Sequence, residues 1–235
     1  MKPKIVRTVA ALRRETRAWR SSKLTCAVVP TMGALHEGHL TLVREGLARA
    51  DRCIATIFVN PKQFGATEDL SRYPRDEDAD VRQLARAGCN LIFAPPPDEM
   101  YGDGFSTTVS LEGPARAGLE DRFRPQFFDG VATVVAKLFI QSGADYAMFG
   151  EKDYQQLMVV TRMARDLDIP IEVIGIPTVR EEDGLAMSSR NRYLSPAERK
   201  HATAIYEALT LAAEKIRAGI DPQTATRSAT LALTT

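Results

Sequence analysis

The stretch Pro30-Thr31-Met32-Gly33-Ala34-Leu35-His36-Glu37-Gly38-His39 constrains this chain more than any other. The apolar run Cys26-Ala27-Val28-Val29 leads into it, and Leu40, Leu42, Val43 and Leu47 follow at helical spacing. The pattern predicts a buried strand, a glycine-bearing turn, then a helix with two histidines at its start. Backbone N–H groups at a helix start have no intrahelical acceptor, and the helix dipole makes that end positive. Such an end suits phosphate. Gly33 and Gly38 let a ligand approach the backbone closely. His36 and His39 are spaced to share a helix face. Zinc binding remains an alternative at this point. However, His-Glu-Gly-His is one residue short of the His-Glu-x-x-His spacing of a helical metal pair. Surface histidines with no ligand are the other open reading.

Alternation of strand and helix patterns continues along the chain. A helix capped by Thr8 is expected to run to about Arg20. Strands are expected at Cys53–Val59, Leu91–Ala94, Tyr146–Phe149 and Ile171–Ile176, with a short one at Phe105–Leu111. Helices are expected at about Asp76–Ala87, closed by Gly88, from a cap at Asp129, and at about Tyr154–Leu167. The region Gly113–Gln126 reads as irregular, and Val131, Val134, Val135, Leu138 and Phe139 form an apolar stripe. The expected fold class is therefore α/β, a Rossmann-like doubly wound parallel sheet.

After Pro177 the pattern changes. Thr178–Asn191 reads as a polar loop. Ser195-Pro196-Ala197-Glu198 has the form of a capping box opening a helix to about Arg217, and a last helix follows Gly219–Pro222. The expected organisation is a domain over 1–176 and a small, apparently truncated C-terminal domain over 177–235.

The 235 residues are enough for a sizeable core. A net charge of +1 gives no field to draw nucleic acid or an anionic membrane, and no apolar run reaches membrane-spanning length. No apolar leader is visible at Met1–Arg7, and Cys26, Cys53 and Cys89 are widely spaced and flanked by apolar residues. A cytoplasmic protein with reduced, buried cysteines is expected.

Five segments in order resemble the pantoate–β-alanine ligase family of the nucleotidyltransferase superfamily. They are Pro30–His39, Phe58–Phe64 (Phe-Val-Asn-Pro-Lys-Gln-Phe) and Arg72-Tyr73-Pro74-Arg75, then Phe149–Leu157 (Phe-Gly-Glu-Lys-Asp-Tyr-Gln-Gln-Leu) and Asp183–Asn191 (Asp-Gly-Leu-Ala-Met-Ser-Ser-Arg-Asn). The resemblance implies a ligase that condenses pantoate with β-alanine in two steps. ATP and pantoate give pantoyl adenylate and pyrophosphate, and the β-alanine amine then displaces AMP. It implies Mg2+, a homodimer, and small-molecule substrates only. It also places Met32, Gly33, Ala34, Leu35, His36, Glu37, Gly38 and His39 on ATP, with Gly150, Glu151, Lys152, Asp153, Val179, Met187, Ser188, Ser189 and Arg190. His36, His39, Lys152 and Arg190 carry the chemistry. Gln63 and Gln156 are implied to hold pantoate, and Asp80, with Gln83 nearby, to support Mg2+. Family members extend several dozen residues further, so the second domain is expected to close less firmly.

The residue chemistry fits those roles. The pantoate carboxylate is itself the nucleophile, so the protein must position groups and stabilise charge. The resemblance assigns His39 as proton donor; a hydrogen-bond donor to the leaving phosphates is the reading that needs less. Asp153 and Gln156 also have capping-box spacing, so a purely local role for both stays open. Acids at Asp76–Asp80 suit a helix start on any reading. Two other functions compete: a nucleotidyltransferase acting on another small substrate, and an inactive ATP-binding remnant.

Overall fold

The computed structural model describes residues 2–65, 70, 71 and 73–234. Arg72 of the third segment lies outside them. Six strands form the sheet: β1 (Lys4–Val6), β2 (Cys26–Val29), β3 (Arg52–Thr56), β4 (Leu91–Phe93), β5 (Tyr146–Gly150) and β6 (Glu172–Ile176). They pair in the order β1-β4-β3-β2-β5-β6, all parallel.

Side chains alternate across the strands and divide the core between the two faces. Cys26, Val28, Ile54, Leu91, Phe93, Ala147 and Phe149 point to one layer; Ala27, Val29, Cys53, Ala55, Ile92 and Met148 point to the other. Helices α1 (Val9–Ser21), α6 (Phe127–Ser142) and α7 (Tyr154–Asp166) supply Leu12, Val135, Phe139 and Val160 to the first. Helices α2 (Glu37–Leu47) and α3 (Glu77–Arg86) supply Leu42, Val43, Val81 and Leu84 to the second. With both faces covered, β2 is buried at every position. The three cysteines are free and buried. Val131 and Val135 are 1% and 4% exposed, so both belong to the core.

Several local expectations need correction. Phe105–Leu111 is not a strand: Val109 donates its N–H to Thr133 Oγ1 on α6 at 2.9 Å, so this segment is satisfied by a helix side chain rather than a sheet edge. Helix α6 starts ahead of Asp129, whose carboxylate accepts the Ser110 hydroxyl at 2.9 Å instead of capping. The Gly113–Gln126 region contains a 3-10 turn at Gly113–Arg116 and helix α5 (Glu120–Phe123). Strand β1 and the short helix α4 (Pro97–Met100) are not evident from pattern, because each is too brief to show a period.

Two compact units divide after Pro177: Met1–Pro177 and Thr178–Thr235. The second contains α8 (Pro196–His201), α9 (Ala204–Arg217) and α10 (Pro222–Thr234). The single helix expected from Ser195 to Arg217 is thus two, although its capping box forms: Ser195 N–H donates to Glu198 Oε2 at 2.8 Å and Glu198 N–H to Ser195 Oγ at 3.3 Å. Thr178–Asn191 has order of its own, an antiparallel bridge between Arg180 and Ala186 followed by a 3-10 turn at Ser189–Tyr193. Among the described residues no helix is long and apolar enough to cross a membrane.

Candidate active site

From β2 the chain steps outward to β3 and then β4, and later returns on the other side of β2 as β5 and β6. The crevice between the carboxyl ends of β2 and β5 is the topological switch point, where open α/β sheets bind ligands. The turn after β2 carries Met32 to His39. The loop after β5 carries Gly150 to Asp153. The loop after β3, which ends in Gln63, is the other neighbour of the β2 turn; Phe58 N–H donates to Thr31 O at 3.1 Å across the gap.

Three backbone amides of the β2 turn are already engaged. Gly33 N–H donates to Thr31 Oγ1 at 3.2 Å, Ala34 N–H to Asp80 Oδ2 at 2.9 Å, and Leu35 N–H to Asp80 Oδ1 at 2.8 Å. Ala34 and Leu35 are 4% and 2% exposed. Both are expected on ATP from the sequence; in the structure their amides are held by Asp80. Helix geometry leaves the N–H groups of Glu37 and Gly38 without intrahelical acceptors, so they are the amides a phosphate can use.

His36 and His39 face each other with ring centroids 4.1 Å apart. His39 Nδ1 accepts the His36 N–H at 3.3 Å, which leaves the proton of the neutral ring on Nε2. Burial pushes the His39 pKa down to about 3, and neighbouring His36 and Lys152 push in the same direction. His39 is therefore a neutral donor through Nε2 at ordinary pH. In the unfolded chain its pKa returns to about 6.5. Its contribution to stability is accordingly present above about 6.5 and is lost as pH falls toward about 3, because the unfolded state takes the proton first. We expect the His39 ring, followed by NMR in the ligand-free protein, to stay neutral down to about pH 4; a midpoint near the ordinary value would contradict this geometry.

Lys152 Nζ lies 2.9 Å from Asp153 Oδ1, and both side chains are solvent-accessible. Exposed pairs of this kind contribute about 0–1 kcal/mol, so a phosphate can displace Asp153 at little cost. Asp153 occupies the position before α7 but makes no side-chain cap bond, so the local capping reading is not realised. Its neighbour Gln155 is structural, accepting Glu120 N–H at 2.8 Å and donating to Asp121 and Pro114 O.

Gln63 ends a 3-10 turn, Pro61–Gln63, and its orientation is fixed from behind. Asn60, 1% exposed, donates through Nδ2 to Gln63 Oε1 at 2.9 Å and to Gly130 O at 3.1 Å. Asn60 Oδ1 in turn accepts Tyr101 Oη–H at 2.7 Å. With its oxygen accepting from Asn60, the Gln63 NH2 group is left as a donor, suited to a carboxylate or hydroxyl. Sequence reasoning missed Asn60 and Tyr101. Asn60 looks like ordinary turn chemistry before a proline, and Tyr101 lies too far along the chain to be linked to it.

In the second unit, Met187 N–H donates to Val179 O at 3.0 Å, so two of its expected nucleotide contacts are side by side. Ser188 Oγ accepts Arg190 N–H at 3.2 Å, and Ser189 is buried. Arg180 stacks its guanidinium over Tyr206, 4.0 Å from the ring centre. A cavity of about 260 Å³ in the first unit borders the start of the β2 turn, lined by Met32, Gly33, Arg75, Asp76, Glu77 and Asp80, among others, and not by His39, Gln63 or Lys152.

Residues gathered at a switch point in this way place the chain among Rossmann-like nucleotide-binding enzymes. Residues 4–234 match the family model for pantoate-beta-alanine ligase. A pantothenate synthetase of Caulobacter vibrioides is 61% identical over 231 residues, 98% of this chain and 81% of that protein. A crystal structure of pantothenate synthetase from Thermus thermophilus superposes with a TM-score of 0.91 at 50% identity, covering 98% of this chain and 82% of that one. The Francisella tularensis pantoate-beta-alanine ligase, solved with β,γ-ATP and β-alanine, gives 0.80 at 34% identity, covering 88% and 79%. The chain belongs to the pantoate–β-alanine ligase family. It is an ATP-dependent ligase joining pantoate to β-alanine.

Proposed function

We propose that the reaction runs through pantoyl adenylate on the residues of the switch-point crevice. The pantoate carboxylate attacks the α-phosphorus of ATP and the bond to the β-phosphate oxygen breaks, releasing pyrophosphate. The β-alanine amine then attacks the acyl carbon, the acyl–phosphate bond breaks, and AMP leaves with pantothenate formed. No protein nucleophile is needed. His39 Nε2–H, the Lys152 ammonium and the amides of Glu37 and Gly38 stabilise charge on the departing phosphates. Gly150, Glu151 and Asp153 border the nucleotide, and Val179, Met187, Ser188, Ser189 and Arg190 are the second unit's nucleotide contacts. Gln63 and Gln156 bind pantoate. The observation that carries this reading is the Gln63 amide, its oxygen taken by Asn60, on the loop beside the β2 turn, since a neutral donor there selects a hydroxy acid over a phosphate ester.

Mg2+ is expected to arrive on the ATP phosphates. Among the described residues no three His, Cys, Asp or Glu side chains converge to cage a metal, and the Asp80 carboxylate is committed to two amides. A homodimer working in the cytoplasm completes the proposal.

The test is pyrophosphate release from ATP with pantoate present and β-alanine withheld. A pantoate-dependent burst of about one per active site is expected, because the first step precedes the amine; release independent of pantoate would refute the scheme. Gln63→Ala is expected to raise KM for pantoate roughly tenfold while leaving KM for ATP within about twofold, as for a lost substrate contact. A selective loss of ATP affinity would overturn the assignment.

A further inference from the structure

We propose that Asp80 is a positioning residue that shapes the nucleotide turn, in place of the Mg2+ ligand its family position suggests. It rests on the reading of the β2 turn as the phosphate site. Asp80 lies in the first turn of α3, is 2% exposed, and meets the backbone of the β2 turn. Its two oxygens accept consecutive amides, Ala34 and Leu35, at 2.9 and 2.8 Å. A charged acceptor makes such bonds shorter and stronger than neutral ones.

The turn it grips would not hold this shape unaided. Ala34 has φ of 51°, in the left-handed region that L-residues avoid because Cβ crowds the following carbonyl. Gly33 has φ of 84°, and a Cβ there would sit 2.9 Å from Asp80 Oδ2. The carboxylate therefore fits against a glycine and holds an alanine in a conformation it otherwise avoids. Just beyond Leu35, His36 is the residue before α2 and its N–H meets His39 Nδ1. Asp80 thus sets the turn from which His36, His39 and the Glu37 and Gly38 amides project. A carboxylate already engaged by two backbone donors, and belonging to no group of three His, Cys, Asp or Glu side chains that could hold a metal among the described residues, is poorly suited to also bind a hydrated dication.

Two measurements separate the readings. In the wild-type protein with EDTA and no nucleotide, hydrogen exchange at the Ala34 and Leu35 amides is expected to be slow and unchanged, within about twofold, on adding Mg2+. Fast exchange in EDTA, or protection that appears only with Mg2+, overturns the proposal. In Asp80→Asn, one acceptor becomes a donor facing an N–H. Exchange at those two amides should rise roughly tenfold or more, with β2 and β3 amides still protected as evidence of a folded protein. KM for ATP should rise roughly fivefold or more, while the Mg2+ concentration giving half-maximal rate stays within about twofold. A purely structural role would lower kcat through the active fraction and leave KM for ATP alone. A metal ligand would show a raised Mg2+ requirement that excess Mg2+ rescues. Either result refutes the inference. If the switch-point site itself is misassigned, the exchange results stand and neither kcat nor KM for ATP changes.

Discussion

Replacing His39 with alanine is expected to slow pantoate-dependent pyrophosphate release roughly tenfold or more, at least about 1.4 kcal/mol of barrier. The reason is the tautomer. His39 Nδ1 is taken by the His36 N–H, so Nε2–H is the end left to donate, and burial keeps the ring neutral. A neutral donor fixed in a partly enclosed site stabilises the growing pyrophosphate charge without reorganising. His39→Gln, which retains an N–H donor, should recover part of the loss. A true proton donor would behave differently: the glutamine variant would be as slow as the alanine one. Lys152→Ala is expected to cause a loss of similar size for the same charge. Rates equal to wild type in these variants would remove both residues from the mechanism.

Gly130→Ala is expected to disrupt the pantoate site as severely, although residue 130 has no side chain to offer a substrate. A Cβ at this position of α6 would lie 2.1 Å from the Lys62 carbonyl oxygen and 2.6 Å from its carbon. Both are backbone atoms of the Pro61–Gln63 turn, so no side chain can swing aside. Helix and turn must separate, and the Asn60 Nδ2 bond to Gly130 O is stretched with them. Overpacking of this kind costs about 1–3 kcal/mol, occasionally more, read as a lower denaturation midpoint. Because Asn60 orients Gln63, KM for pantoate should also rise roughly tenfold. A variant of wild-type stability and unchanged pantoate affinity would show that α6 does not hold the Gln63 loop.

These two residues are unequally legible in the sequence. His39 sits in a segment whose strand-turn-helix pattern is local, and its neighbours in sequence are its neighbours in space. Gly130 is one small residue in an apolar helix stripe. Only the approach of the Lys62 backbone, from a distant part of the chain, gives it meaning. Asp80 is similar: its place in an acidic helix start suits a dipole or a metal, and its real partners are 45 and 46 residues away. Asp153 shows the converse, since it has capping-box spacing and the bond still does not form, because Lys152 offers a charged partner. Asp129 has the chemistry of a helix cap, yet Phe128, 3% exposed, draws the helix start earlier into the core.

The sequence by itself determined what depends on short-range physics. Apolar runs made buried strands, three- and four-residue spacing made amphipathic helices, and the Ser195–Glu198 box made a helix start. These features rest on contacts a few residues apart, so pattern suffices. Tertiary structure alone decided the tautomer and charge of His39, the bond that ties the Gln63 amide to the buried Asn60, and the grip of Asp80 on the turn. Each depends on desolvation or on a hydrogen bond between distant segments, and those energies exist only once the sheet has brought the segments together.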